Sequence, residues 1–134
     1  MARLILDTTV LVSAERRGVT SIANEIDEID DVAIAAVTLA ELQVGVLLAT
    51  GKRKVARAAY VQQVAQTFVV EDYTAAIAGV HADLLAHTKR AGRPRGAHDL
   101  IIAATAIATS RKLLTSDARG FEGLPGLALV APEL

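Results

Sequence analysis

Arg3-Leu4-Ile5-Leu6-Asp7-Thr8-Thr9 decides how the rest of the chain is read. It is a short apolar run that stops at a carboxylate followed by two hydroxyls, as a buried strand does when it delivers an acid to its own C-terminal edge. In open α/β sheets, ligands bind outside the carboxyl ends of the strands, so Asp7 stands where chemistry is placed. Leu113-Leu114-Thr115-Ser116-Asp117 repeats the pattern, apolar then hydroxyl then acid. Between them, Glu41 and Asp99 fall near the starts of two helical segments, and helices that follow parallel strands begin on that same edge. All four acids are expected to meet in one pocket.

Composition bounds what surrounds that pocket. A chain of 134 residues fits a single domain, 1–134, able to bury a core without staples. Hydrophobic residues make up 52% but aromatics only 3%, so the core must be built from Ala, Val, Leu and Ile, which suits helices layered on a sheet. The absence of cysteine excludes disulfides, thiolate metal sites and a Cys nucleophile. A net charge of −1 is not that of a uniformly basic nucleic-acid binder, so any polyanion must be met by local patches or a metal. The N-terminus does not read as a secretory signal and every apolar run is short of a bilayer span, so we expect a cytoplasmic protein with no membrane partner.

Outward from Asp7, Thr8 to Glu15 reads as a short helix or turn ending at Arg16-Arg17-Gly18. Thr20 or Ser21 can cap a second, with Ile22, Ile26 and Ile29 at helical spacing. Val32 to Ala35 reads as a strand, and Thr38 opens an all-round apolar helix to about Ala49, with Gly51 ending it. Lys52, Arg53, Lys54 and Arg57 begin the next helix, whose Val55, Ala58, Ala59 and Val61 face inward or toward a partner. Phe68 to Val70 is a third strand. Asp72 or Thr74 caps a long helix striped by Tyr73, Ile77, Val80, Leu84 and Leu85. An Ala-rich helix runs from Asp99 to about Ser110, and Leu113 to Thr115 and Leu127 to Val130 complete the strands. Strands alternating with helices give an α/β fold: a mostly parallel sheet of about five strands with helices on both faces.

Each acid alone has a structural explanation. Glu41 pairs with Thr38 as a capping box, Asp99 gains from a helix N-terminus, and Asp7 and Asp117 fit ordinary turns. Clustered, however, carboxylates repel and take up protons unless something positive lies among them. Hard oxygen ligands suit Mg²⁺ or Mn²⁺, and with such an ion the cluster becomes a phosphoryl-transfer site that needs no nucleophilic side chain. His81 and His87 lack metal-site spacing, whereas His98 adjoins Asp99 and is a candidate to touch substrate. Of the basic groups, Arg93 and Arg95, in the loop before Asp99, are the candidates for phosphate contact. No P-loop and no Gly-x-Ser-x-Gly elbow is present.

Leu6-Asp7-Thr8-Thr9, Thr38-Leu39-Ala40-Glu41-Leu42, the run Asp99 to Ala106, and Leu113 to Asp117 together resemble the PIN-domain ribonucleases, specifically the VapC toxins of prokaryotic toxin-antitoxin pairs. The likeness spans nearly the whole chain. It implies a metal-dependent endoribonuclease with Asp7, Glu41, Asp99 and Asp117 around Mg²⁺ or Mn²⁺. The resemblance further implies Asp7, Asp99 and Asp117 as metal ligands, with Thr9 and Thr115 supporting them. It also implies an RNA substrate, a homodimer and inhibition by a VapB-type antitoxin, for which the apolar helix around Val44, Leu47 and Leu48 offers a surface, although its sequence fits a buried core element equally well. Two other readings compete. A small-molecule phosphatase would use Asp7 as nucleophile, but has Thr9 where its second acid should stand. A non-catalytic binding module would use the acids as caps.

Overall fold

The computed structural model describes residues 2–18 and 30–131. The helix expected around Ile22, Ile26 and Ile29 lies outside them. Five strands, β1 (Arg3–Leu6), β2 (Asp31–Ala35), β3 (Val69–Glu71), β4 (Lys112–Leu114) and β5 (Leu129–Val130), form one sheet in the order β3-β2-β1-β4-β5. Every pairing is parallel, with Leu6 opposite both Ile34 and Leu114. Among the described residues five α-helices accompany them: α1 (Thr8–Arg16), α2 (Ala36–Leu48), α3 (Gly51–Thr67), α4 (Ala75–Ala91) and α5 (Ala97–Ala108).

The alternation of side chains along each strand divides the core into two layers. Ile5 and Leu113 point to one face, where Ile77 and Leu84 of α4 and Leu100, Ile102 and Ala103 of α5 cover them. Leu6, Ile34 and Leu114 point to the other, beneath Val10 and Leu11 of α1, Leu42 of α2, and Val61 and Val64 of α3. Nearly continuous burial of β1, with Leu4, Ile5 and Leu6 all inside, is what a parallel strand covered on both faces requires. Alanines at 103, 104 and 106 bring α5 close against its neighbours, and Phe121 fills the same layer as its largest side chain.

Topology locates the functional edge. From β1 the chain places β2 and then β3 on one side, and after α4 and α5 it returns to place β4 on the other side of β1. The order therefore reverses between β1 and β4, the point at which the carboxyl ends of parallel strands leave a crevice. The backbone holds that crevice's two walls together, since Asp7 N–H donates to the Leu114 carbonyl at 2.9 Å. At the opposite edge, the buried guanidinium of Arg111 bonds to the carbonyls of Leu4 and Asp31 and to the carboxylates of Asp31 and Glu71. It ties the N-terminal parts of β1 and β2 to Glu71, the last residue of β3.

Several local expectations are corrected. β2 runs into α2 with no loop, Ala35 ending one and Ala36 starting the other, so Thr38 already lies in the helix's first turn and makes no capping box with Glu41. Gly51 does not end α2. It opens α3 with φ +60, after Ala49 and Thr50 have already broken the preceding helix. Of the stripe expected on α4, Ile77 and Leu84 are buried but Tyr73 and Leu85 are exposed, and Tyr73 instead meets His81 through a 2.8 Å contact from its hydroxyl to Nδ1. Thr74, not Asp72, caps α4 by accepting from Ile77 N–H.

Candidate active site

Asp7 is the anchor. It is the residue before α1, only 2% exposed, and does not spend its carboxylate on the helix amides. Two hydroxyls converge on its Oδ2 instead: Thr9 donates at 2.7 Å from the first turn of α1 and Thr115 at 2.8 Å from just beyond β4. Two hydroxyl donors on one oxygen hold the carboxylate in one orientation. Thr115 then accepts from Asp117 N–H at 3.0 Å, a hydroxyl turn that sets the course of the chain as it leaves the sheet. Asp7, Thr9, Thr115 and Asp117 are thus brought together across the β1/β4 crevice, as the strand-end patterns indicate.

Asp99 reaches the same place from the third position of α5. Burial, and then the carboxylates of Asp7, Glu41 and Asp117, push its carboxyl above the ordinary carboxylate value, while His98 pulls the other way. One group feels the other three. Two glycines make room for it. A Cβ on Gly96 would lie 2.9 Å from Asp99 Oδ2, and one on Gly120 would lie 3.1 Å from it and 3.7 Å from Asp117 Oδ2. Asp99 and Asp117 therefore flank a single backbone position, and neither glycine bears a Cβ that would displace them.

Glu41 comes from α2 and is held from α1, where the Thr8 hydroxyl donates to its Oε1 at 2.9 Å. Its Oε2 lies 3.6 Å from His98 Nδ1, so His98 borders the acidic cluster. Beside Glu41 a cavity of about 170 Å³ is lined by Val12, Leu42, Gly45 and Val61 together with Glu15 and Arg57. Arg93 is exposed, but Arg95 is engaged, its guanidinium donating to the backbone carbonyls of Arg119 at 3.2 Å and of Glu122. Arg95 so clamps the segment carrying Asp117 and Gly120 to the loop before α5. The sequence reading misses Thr8, Thr38, Gly96 and Gly120 as site residues. The one available signal was the position of the two glycines, three residues before Asp99 and three after Asp117.

Among the described residues no three His, Asp or Glu side chains are drawn into a ready-made ligand group. The donor set nevertheless fits a hard divalent cation. It is all carboxylate, mutually repelling at Asp99, and Mg²⁺ is commonly held through one or two carboxylates while keeping several waters.

The model of the PIN domain matches residues 4–127. The chain belongs to the PIN-domain family. Among similar proteins, Ribonuclease VapC5 of Mycobacterium tuberculosis is 36% identical, with 94% of this chain and 90% of that one aligned. Ribonuclease VapC2 of Rickettsia felis is 28% identical over 93% and 94%. The crystal structure of VapBC2 from Rickettsia felis, bound to a DNA fragment from their promoter, superposes with a TM-score of 0.87 at 26% identity, covering 98% of this chain and 99% of that one. That of VapBC-5 from Mycobacterium tuberculosis, a member of the VapBC family of toxin-antitoxin systems, gives 0.76 at 32% identity over the full length of both. In this PIN domain the five-stranded parallel sheet and its switch-point crevice are the family's architecture, and the acids described above stand at its open edge.

Proposed function

We propose that this PIN domain is an endoribonuclease toxin that cleaves RNA phosphodiester bonds and is restrained by a VapB-type antitoxin. The observation that carries the reading is the buried Asp7, pinned by two hydroxyls at the switch point, together with Asp99, whose carboxyl feels the charges of Asp7, Glu41 and Asp117. We assign Asp7, Asp99 and Asp117 to hold Mg²⁺ or Mn²⁺. When bound, that ion activates water and neutralises the charge that develops on the phosphate. Thr9 and Thr115 fix Asp7 Oδ2 so that its orientation is set before substrate arrives. Glu41, outside the metal set, takes a proton at its carboxylate. The exposed Arg93 and His98 line the approach and contact phosphates of the RNA, with Arg95 adding charge while it clamps the Asp117 segment. Hydrolysis leaves 5′-phosphate and 3′-hydroxyl ends. Similarity to the VapC ribonucleases and VapBC complexes supports the antitoxin. A homodimer and a cytoplasmic location are part of the same proposal; among the described residues no helix is long and apolar enough to cross a membrane.

The phosphatase alternative is disfavoured by Thr9, which donates to Asp7 where that chemistry needs a second acid. The test is cleavage of a mixed pool of structured RNAs by purified protein freed of antitoxin, with Mg²⁺ or Mn²⁺, then with EDTA, and in parallel with Asp99→Asn. Cuts are expected that EDTA and the substitution both abolish. An antitoxin-free, folded protein that leaves RNA intact and turns over a phosphomonoester would sink the reading.

A further inference from the structure

We propose that Thr8 is a positioning residue for Glu41, and that the hydroxyls of Thr38 and Thr8 form a relay that fixes the Glu41 carboxylate. The inference rests on the reading of Glu41 as a working acid and extends it to a residue no other part of that reading uses. Thr8 is the first residue of α1 and Glu41 lies on α2, so the contact joins two helices that leave two adjacent strands. Thr8 Oγ1 stands 2.9 Å from Glu41 Oε1 and 3.0 Å from Thr38 Oγ1. A hydroxyl has one proton. With Thr8's proton given to the carboxylate, the Thr38 contact is left for Thr38's own proton to make, and Thr38, fully buried in the first turn of α2, has no water to take it.

Thr8 is the sole hydrogen-bond donor to the Glu41 carboxylate among the described residues, His98 Nδ1 lying at 3.6 Å. Without it, three freely turning bonds separate that carboxylate from the helix backbone, and a misplacement of about 1 Å costs on the order of a hundredfold in rate. Thr8 is also bonded through the chain to Asp7. The peptide that delivers the anchoring acid thus sets the angle of a second acid arriving from a different helix.

The experiment compares wild type, Thr8→Val, Thr8→Ser and Thr8→Ala for RNA cleavage in Mg²⁺ or Mn²⁺, thermal unfolding, and the crystal structure of the Val variant. Thr8→Val keeps shape and removes the donor. It is expected to lower kcat about tenfold or more with KM changed less than about twofold, a loss of the size that one charge-assisted hydrogen bond provides. Thr8→Ser is expected to recover most of that loss, which mere filling of space would not achieve, and the Val structure to show the Glu41 carboxylate turned from its α1-facing rotamer. A Val variant as fast as wild type, a Ser variant as slow as Val, or an unmoved Glu41 carboxylate would each overturn the proposal. Loss of the fold in both Val and Ala variants would overturn it too, by making Thr8 structural. An inactive wild type would instead fail the parent reading, and the proposal with it.

Discussion

Gly120 matters for the side chain it lacks. Its φ is not in the left-handed region, so alanine meets no backbone obstacle there, but the new methyl would press to 3.1 Å from Asp99 Oδ2. A carboxylate on two torsions can swing aside for little energy. Gly120→Ala is therefore expected to cost less than about 1 kcal/mol of stability, while cleavage falls about tenfold because Asp99 has moved; parallel melting and RNA-cleavage assays separate the two. Asp99 itself makes a second, opposite case. A carboxyl whose folded value is raised above its ordinary 3.8 binds protons more readily in the fold than in the unfolded chain. Stability therefore falls as pH rises through that window, and above it the charged carboxylate burdens the fold. Asp99→Asn should abolish cleavage yet melt higher than wild type at neutral pH in EDTA, the advantage shrinking as pH drops through the window toward 3.8. A variant that melts lower at pH 7 would contradict the crowding of charge. Asp7, Thr9, Thr115 and Asp117 were legible in the sequence because strand ends announce themselves locally. Thr8 and Thr38 were not, since their meeting depends on residues 30 and 33 positions apart in sequence lying on neighbouring helices.

Among the elements, one phenol adds a hydrogen bond to the apolar packing of α3 with α1. Tyr60 donates to the Leu11 carbonyl at 2.6 Å, and burial, then the nearby Glu15 charge, push its hydroxyl from 10.0 to about 12. Between those values the unfolded chain loses the proton that the folded chain keeps, so stability should decline from pH 10 toward 12. Tyr60→Phe is expected to cost about 1 kcal/mol at neutral pH and to flatten that alkaline decline; denaturant titrations at pH 8 and near pH 11 test both parts, and an equally steep decline in the variant would assign it to other groups. The order and kind of elements were readable because apolar runs of strand length alternate with longer helical ones, but α2 was misread at its start. Thr38 and Glu41 have the spacing of a capping box, and only the direct passage of β2 into α2 moves the helix two residues earlier and frees both side chains for the site. The same helix is apolar nearly all round, and sequence alone left open whether its outer residues are core. They are not.

Taken as a whole, the molecule leaves Leu47 71% and Leu48 79% exposed at the end of α2, with Val44 beside them and Val55 on α3. Substituting Leu47 and Leu48 together by Glu removes little buried surface, so stability is expected to hold within about 0.5 kcal/mol. Free-protein cleavage should persist while co-purification with the proposed antitoxin drops; undiminished capture would place the antitoxin elsewhere. The sheet order was beyond what the sequence could supply, because nothing local says on which side of β1 the returning β4 will lie. That return has a consequence in time. Asp7 and the Thr115 that orients it are 108 residues apart, so during synthesis the first acid emerges long before its partner exists. Contacts of such separation form late, and a ribosome making this chain carries no assembled site until β4 has cleared the exit tunnel, which leaves its own messenger and RNA unthreatened through most of translation.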